Sequence, residues 1–140
     1  CGNLLMTMRL IEGDFPNYQQ VIPKEPDKHF VVSRQHFLDA MRRISILTSE
    51  KSKIVRLDLS PSELVVSTNN PDFGEAQERI PIEYDGPKMT VGYNSRYFLD
   101  VLAILTSEKV VFSLSDDLSP AVLRPQEDPN FSYIVMPVRI

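Results

Sequence analysis

The sequence predicts an α+β domain in which two helices lie side by side on antiparallel sheet. From residue 30 onward, the order strand, helix and three strands occurs twice. Both helical segments have one apolar face, and the strands are separated by short turns of Pro, Asn, Asp and Ser. A duplicated β-α-β-β-β unit buries its two helices against one antiparallel surface, so approximate two-fold symmetry is expected.

The first 29 residues precede this repeat. Residues 4–11 and 18–22 are rich in strand formers, and Gly13, Asp14 and Pro16 between them favour a turn. A lone hairpin is marginal in water, so we expect it to belong to another domain. Residues 23–28 are a polar, proline-stiffened linker. The chain has neither an initiator Met nor a signal-like start, and we expect it to be a piece of a longer polypeptide.

The first unit begins with a strand at residues 30–32 and a helix at 33–48. Ser33 is a favourable N-cap, since its hydroxyl can accept a hydrogen bond from a free backbone N–H of the first turn. Three further strands are predicted at residues 54–59, 64–68 and 75–80. The apolar helix face consists of Phe37, Ala40, Met41, Ile44 and Leu47.

The second unit repeats this order. A strand at residues 89–93 leads into a helix at 94–106, for which Asn94 is the expected N-cap. Strands follow at residues 110–114, 121–124 and 132–136. The apolar helix face consists of Phe98, Val101, Leu102 and Leu105.

Composition excludes several classes of protein. The 15 basic and 19 acidic residues give a net charge of −4, which argues against a module that grips phosphates over most of its surface. Any nucleic-acid contact would need a local basic patch. The single cysteine, Cys1, cannot form an internal disulfide, and no apolar run approaches the ~18 residues of a membrane helix. We therefore expect a soluble, cytoplasmic protein without membrane contact.

Enzyme and metal signatures are missing from the sequence. His29 and His36 have no Cys or carboxylate at a metal-ligand spacing, and the five glycines are too dispersed for a phosphate loop. Asp116 with Asp117, or the group Asp72, Glu75 and Glu78, could hold a cation. A turn and a solvated strand face are the favoured interpretations, because adjacent Asp residues suit a turn. No catalytic residue, metal or cofactor is predicted.

Two surface features have two interpretations each. Basic residues on and after the first helix, with Arg96 on the second, fit either an ordinary solvated face or a nucleic-acid contact. Residues 133–140 are apolar to the last residue, whereas chain ends are usually polar. This stretch is either a core edge strand or one wall of a groove formed by Met136, Pro137, Val138 and Ile140.

Three motifs together resemble one protein family. They are Gly-Asp-Phe-Pro-Asn-Tyr-x-x-Val-Ile-Pro at 13–23, Tyr-Asn-x-x-Tyr-Phe-Leu-Asp-Val-Leu at 93–102, and Tyr-Ile-Val-Met-Pro-Val-Arg-Ile at 133–140. In this order they are similar to the beta sliding clamp of bacterial DNA polymerase III. The resemblance implies the DNA-clamp fold, with residues 1–25 as the end of a middle domain and 26–140 as the C-terminal clamp domain.

The family resemblance also implies a function. Its members are non-catalytic processivity factors in DNA replication, built of three similar domains, and two subunits close head to tail into a ring around duplex DNA. Expected partners are duplex DNA without sequence preference, the DNA polymerase III alpha subunit, the clamp loader delta subunit, other proteins with a clamp-binding motif, and a second copy in a homodimer.

Three sets of site residues are implied by the resemblance. The subunit interface maps onto Ile46, Leu47, Glu75 and Glu78. The DNA-facing residues are Arg34, Arg42, Arg43, Lys51, Lys53 and Arg96. The partner-peptide groove comprises Pro16, Gln20, Val21, Asn94, Tyr97, Leu118, Pro120, Ile134, Met136, Pro137, Val138, Arg139 and Ile140. Gln20 stands where the family commonly has arginine, and Pro120 where it has a small hydroxyl residue, so polar contacts at these points differ from the family pattern.

A rival hypothesis from another class is a stand-alone adaptor domain that binds peptides through its C-terminal strand and never meets DNA. Two further β-α-β-β-β domains encoded ahead of this chain would favour the clamp. An enzyme ranks third, because the sequence offers no nucleophile, base or metal constellation.

Overall fold

The computed structural model describes residues 2–3, 5–9, 13, 17, 22–23, 26–49 and 53–140. Four predicted site residues, Pro16, Gln20, Val21 and Lys51, lie outside the described residues. Most of the predicted N-terminal hairpin does too, but its described part, residues 5–9, is exposed and belongs to no strand. The expected strand is therefore wrong for residues 5–9.

The β-α-β-β-β order occurs twice, as the sequence predicts. The first unit is β1 Lys28–Ser33, α1 Arg34–Ile46, β2 Ile54–Ser60, β3 Glu63–Asn70 and β4 Gly74–Glu83; the second is β5 Met89–Asn94, α2 Ser95–Ile104, β6 Lys109–Leu114, β7 Ala121–Pro125 and β8 Tyr133–Val135. Both helices end two residues before the predicted ends, and the extended backbone of Leu105 closes α2. β8 is shorter than predicted, because its pairing with β7 ends at Val135.

The strands form one antiparallel sheet in the order β5-β2-β3-β4-β1-β6-β7-β8. The sheet has two equivalent halves, β5-β2-β3-β4 and β1-β6-β7-β8. In each half, three strands come from one unit and the first strand, β5 or β1, comes from the other unit. The halves join where Val31 and Val32 of β1 pair with Glu83 and Ile82 of β4. The symmetric junction is an isolated antiparallel bridge between Gly92 of β5 and Val138.

Both helices begin as their caps predict. The Ser33 side chain accepts a hydrogen bond from His36 N, and the Asn94 side chain accepts one from Arg96 N. The first helical residue of each unit also donates its backbone N–H to the segment before a strand of the other unit. These bonds are Arg34 N to Glu108 O at 3.0 Å and Ser95 N to Lys53 O at 2.9 Å. The two units are thus joined by equivalent bonds at both helix starts.

The core lies between the helices and the sheet, and five aromatic rings occupy its centre. Phe37 of α1 contacts Phe98 of α2 at a ring separation of 5.3 Å. Phe98 also packs on Tyr93 and Phe112, and Phe112 stacks on Phe30 at 5.0 Å. The predicted apolar helix residues are buried, apart from Leu47, which is half-buried. Among the described residues, no helix is long and apolar enough to cross a membrane.

Tyr93 is fully buried, and within the described part of the chain its hydroxyl has no hydrogen-bond partner. Burial, with the charge of Asp116 adding to it, strongly raises the pKa of Tyr93. The folded state therefore holds this phenol proton more tightly than the unfolded state. The resulting stabilisation is complete below the unfolded pKa of about 10 and is lost as the pH rises above it.

We predict that Tyr93→Phe leaves the free energy of unfolding at pH 7 unchanged or higher, and reduces its loss above pH 10. Urea unfolding of both proteins from pH 7 to 11 measures this. Tyr84→Phe is the matched control, since the Tyr84 hydroxyl donates to Pro87 O at 2.7 Å. That variant should lose about 1 kcal/mol at pH 7. A larger loss for Tyr93→Phe than for Tyr84→Phe at pH 7 would contradict the prediction.

Candidate binding surfaces

Residues 136–140, which we call the C-terminal strap, continue the chain beyond β8. The strap lies against β5, where Val138 N donates to Gly92 O at 2.9 Å. Met136 and Ile140 are exposed, whereas Pro137 and Val138 are half-buried. The terminal apolar stretch is therefore a strand only up to Val135, and beyond it is a separate segment held on another strand.

The start of α2 lies close to β8. Tyr97 is about half exposed, and Asn94 is occupied in capping the helix. Burial raises the pKa of Tyr133, and the nearby Asp100 and Tyr97 raise it further. This electrostatic effect indicates that Tyr97 and Asp100 of α2 are near Tyr133 of β8.

The β6–β7 loop presents Leu118 to solvent. Its conformation is fixed by the Asp116 carboxylate, which accepts hydrogen bonds from Leu118 N at 2.8 Å and from Ser119 N and Oγ at 2.6 and 2.9 Å. These bonds hold the pKa of Asp116 below its usual range. Asp116 thus acts as a turn residue. The described residues also contain no group of three or more His, Cys, Asp or Glu that could hold a metal ion.

A concave region of about 1050 Å³ lies on the outer face of β2, β3, β4 and β5. Its lining is mainly polar and includes Arg56, Asp58 and Thr90. Ile140 and Asp117 lie at its border, and Ile140 is the predicted groove residue that lines it. Within the described residues, Ile140 is thus the point at which the predicted groove residues meet this concave region.

The N-terminal part of β4 forms a second surface. Its residues 74–80 pair with β3 on one side, while β1 pairs only with Ile82 and Glu83. Glu75 is exposed on this edge, and Ile46 at the end of α1 is 78% exposed. The Asn70 side chain donates to Leu47 O at 3.1 Å and ties the β3–β4 turn to the helix end. The predicted interface residues therefore lie at one side of the domain.

Phe73 belongs to the same side and was missed by the sequence analysis. It lies in the β3–β4 turn and is 72% exposed. Its backbone N–H donates to Asn70 O, the residue that contacts Leu47. A large aromatic side chain in a turn otherwise made of Asn, Pro, Asp and Gly was the available signal. Exposed apolar side chains beside an open strand edge are typical of an interaction surface.

The basic residues of the helices are not equivalent. Arg42 and Arg96 are exposed, at 3.6 and 3.9 Å from the carboxylates of Asp39 and Asp100. Arg34 instead lies across the end of α2, where Nη1 donates to Leu102 O and Nε to Ser107 O, both at 3.0 Å. Its guanidinium therefore satisfies carbonyl groups at a helix C-terminus, where a cation is favourable.

Arg43 and Glu78 form one ion pair, although they belong to two different predicted sites. Both guanidinium nitrogens Nε and Nη2 donate to the Glu78 carboxylate, the latter at 2.6 Å. This pairing raises the pKa of Arg43 and lowers the pKa of Glu78. A DNA-facing candidate and an interface candidate thus neutralise each other in the domain.

The histidines have local contacts. His29 Nδ1 lies 2.8 Å from Ser113 Oγ across the β1–β6 pair, and His36 is exposed in the first turn of α1.

Lys53, another DNA-facing candidate, is half-buried, and its backbone carbonyl accepts hydrogen bonds from Ser95 N and Oγ.

The family described as DNA polymerase III beta subunit, C-terminal domain, matches residues 19–139. The chain belongs to this family. Over 139 residues it is 40% identical to the beta sliding clamp of Pseudomonas putida strain KT2440 and 37% identical to that of Escherichia coli strain K12. Each alignment covers 99% of this chain and 38% of the relative, so the chain spans little more than a third of these relatives.

Solved structures agree with this family. The DNA polymerase sliding clamp from Pseudomonas aeruginosa aligns with a TM-score of 0.90 at 39% identity, over 94% of this chain and 36% of that one. The sliding clamp from Bartonella birtlesii bound to griselimycin aligns with a TM-score of 0.89 at 37% identity, over 93% and 35%. The α+β DNA-clamp fold and the resemblance noted from three motifs are confirmed.

We predict that Arg34→Ala lowers the free energy of unfolding by about 1.5–3 kcal/mol, because two buried carbonyls lose a charged donor. Chemical denaturation measures the loss. Arg42→Ala on the same helix is the matched control and should stay within about 0.5 kcal/mol, since Arg42 is exposed and only weakly paired. Equal stability of the two variants would show that Arg34 has no structural role.

Proposed function

We propose that this chain is the C-terminal part of a processivity factor that holds polymerases on duplex DNA and catalyses no reaction. Membership of the DNA polymerase III beta subunit family and the name beta sliding clamp of its relatives support this proposal. The chain's own strongest support is the C-terminal strap, an apolar segment that is exposed yet anchored on β5. Such a segment suits the capture of short apolar peptide motifs.

In this proposal, two full-length subunits close head to tail into a ring around the duplex. Enclosure holds DNA by topology, so the surface that faces it needs only a modest positive potential and no contacts to bases. Arg42 and Arg96 suit this role, because they are exposed and partly offset by acidic neighbours. Arg34 and Arg43 would contribute less, since both are already bonded within the domain.

The ring would close through the open edge of β4. Ile46 and Leu47 would supply apolar contact, and Glu75 would face basic residues of the neighbouring subunit. Glu78 would contribute less, since it is already paired with Arg43. Phe73 extends the same apolar surface. An open strand edge with exposed apolar side chains is unfavourable in an isolated protein, which supports the assignment of this side to a subunit interface.

The proposed peptide groove has the strap as one wall and Tyr97, Asn94 and Leu118 at its margin. Its partners would be the polymerase III alpha subunit, the clamp loader delta subunit and other proteins carrying a clamp-binding motif. A leucine and an aromatic side chain of such a motif would bury apolar area against Met136, Val138 and Ile140. Burial of apolar area contributes roughly 25 cal/mol per Å², so the modest area available supports micromolar rather than nanomolar binding once the costs of association are subtracted.

Ring closure predicts that Ile46→Asp in the full-length protein weakens the dimer by tenfold or more, a change equal to about 1.4 kcal/mol. A carboxylate there would replace an apolar contact and add to the acidic edge. Sedimentation velocity over a concentration series measures the dissociation constant. Ile104→Asp is the matched control, since Ile104 is 71% exposed near the end of the other helix. If both variants dimerise like the parent, the proposed interface is wrong.

Groove binding predicts that the full-length protein binds a peptide containing a leucine and an aromatic residue with micromolar affinity, and that removal of residues 136–140 weakens binding by at least about tenfold. Fluorescence anisotropy of the labelled peptide measures both. A peptide with the two apolar residues replaced by alanine tests specificity, and thermal unfolding checks that the truncated protein is folded. A folded truncated protein that binds the peptide like the parent would refute the groove.

A further inference from the structure

Gly92 lies where the strap crosses β5 at very close range. A Cβ at this position would stand 2.3 Å from Ile140 Cγ2 and 2.7 Å from the carbonyl oxygen of Val138. Real Cβ atoms do not approach other heavy atoms to less than 3.0 Å. Since one of the two neighbours is backbone, no rotation of a side chain can remove both overlaps. The strap can occupy its observed place only because residue 92 has no side chain.

The requirement at Gly92 is for space and not for backbone conformation. Gly92 does not have a positive φ, unlike Gly2, Gly13 and Gly74. Its neighbours Val91 and Tyr93 are buried in the core, so Gly92 faces the opposite side of β5. Within the sheet, Gly92 pairs with Arg56 of β2 and forms the bridge to Val138 of the strap.

The pseudo-two-fold relation provides an independent comparison. Ser33 and Asn94 cap equivalent helices, so the position equivalent to Gly92 in the first unit is Val31. Val31 pairs with Glu83 in a regular antiparallel register at the junction between β1 and β4. Strand pairing at this junction is thus compatible with a β-branched side chain. A glycine is needed only in the second unit, where Ile140 and the Val138 carbonyl of the strap approach the strand too closely for a Cβ.

We propose that Gly92 is a positioning residue for the partner-peptide groove. It allows the strap to approach β5 closely and so places the apolar side chains of Val138 and Ile140 at the groove wall. This inference rests on the proposed function of the strap. Gly92 itself touches no partner; any side chain at this position lifts the strap from β5 and withdraws the wall from the peptide.

The test uses the full-length protein and the same labelled peptide of one leucine and one aromatic residue. Gly92→Ala should weaken peptide binding by roughly tenfold or more, equivalent to about 1.4 kcal/mol. Gly86→Ala is the matched control, since a Cβ there would stand 2.5 Å from the Tyr84 ring, in the loop before β5. It imposes similar crowding without touching the strap, and its affinity should stay within about twofold of the parent.

Hydrogen exchange monitors the strap directly. The Val138 amide is bonded to Gly92 O, so its exchange should accelerate by at least about tenfold in Gly92→Ala, as a local opening. Amides of the buried strand β2 should keep the protection of the parent protein, which shows that the variant is folded. Unchanged protection of residues 136–140 would overturn the inference whatever the peptide affinity.

A double variant separates this inference from the proposed function. In a protein lacking residues 136–140, Gly92→Ala should cause no further change in peptide binding, because the strap that it displaces is absent. Equal binding by the truncated protein and the parent overturns the groove itself. If the truncated protein binds the peptide weakly but Gly92→Ala binds it as the parent does, only the role of Gly92 is overturned. The role of Gly92 is also overturned if Gly92→Ala lowers peptide affinity by the same factor in the full-length and the truncated protein.

Discussion

The contact between Phe37 and Phe98 is the interaction on which the rest of the domain depends. It joins the two helices at the centre of the duplicated structure, and Tyr93 and Phe112 surround it with further ring contacts. Once the helices are held together on one face, each unit can contribute its first strand to the half-sheet of the other. The helix starts are then fixed by the equivalent bonds from Arg34 N and Ser95 N.

Local sequence signals predicted the elements well. Ser33 and Asn94 are the N-caps, and the apolar faces identified by helical spacing are the buried ones, because both signals depend on residues a few positions apart. The exchange of first strands between the units could not be predicted in this way. Pairing of Phe30 with Phe112 joins residues far apart in sequence, and a period-two pattern does not identify its partner strand.

The sites were predicted less completely, for the same reason. The apolar end of the chain indicated the strap, but the glycine that accommodates it is more than forty positions earlier and looks like any other dispersed glycine. Arg34 was grouped with the helix cations, although its carbonyl partners lie 68 and 73 positions away. Charge and periodicity identify surfaces; they do not distinguish a free cation from one that closes a helix end.

The strap also bears on how the ends of the eight-stranded sheet are protected. β5 and β8 are the end strands of the sheet, and the strap continues from β8 and pairs with β5 at Gly92, so it covers part of the β5 edge. Unprotected end strands invite lateral pairing with other chains. The open part of β4 relies instead on acidic side chains, a second common defence against aggregation. The strap and the acidic residues of β4, which would bind partners in the proposed function, therefore also protect strand edges from pairing with other copies of the chain.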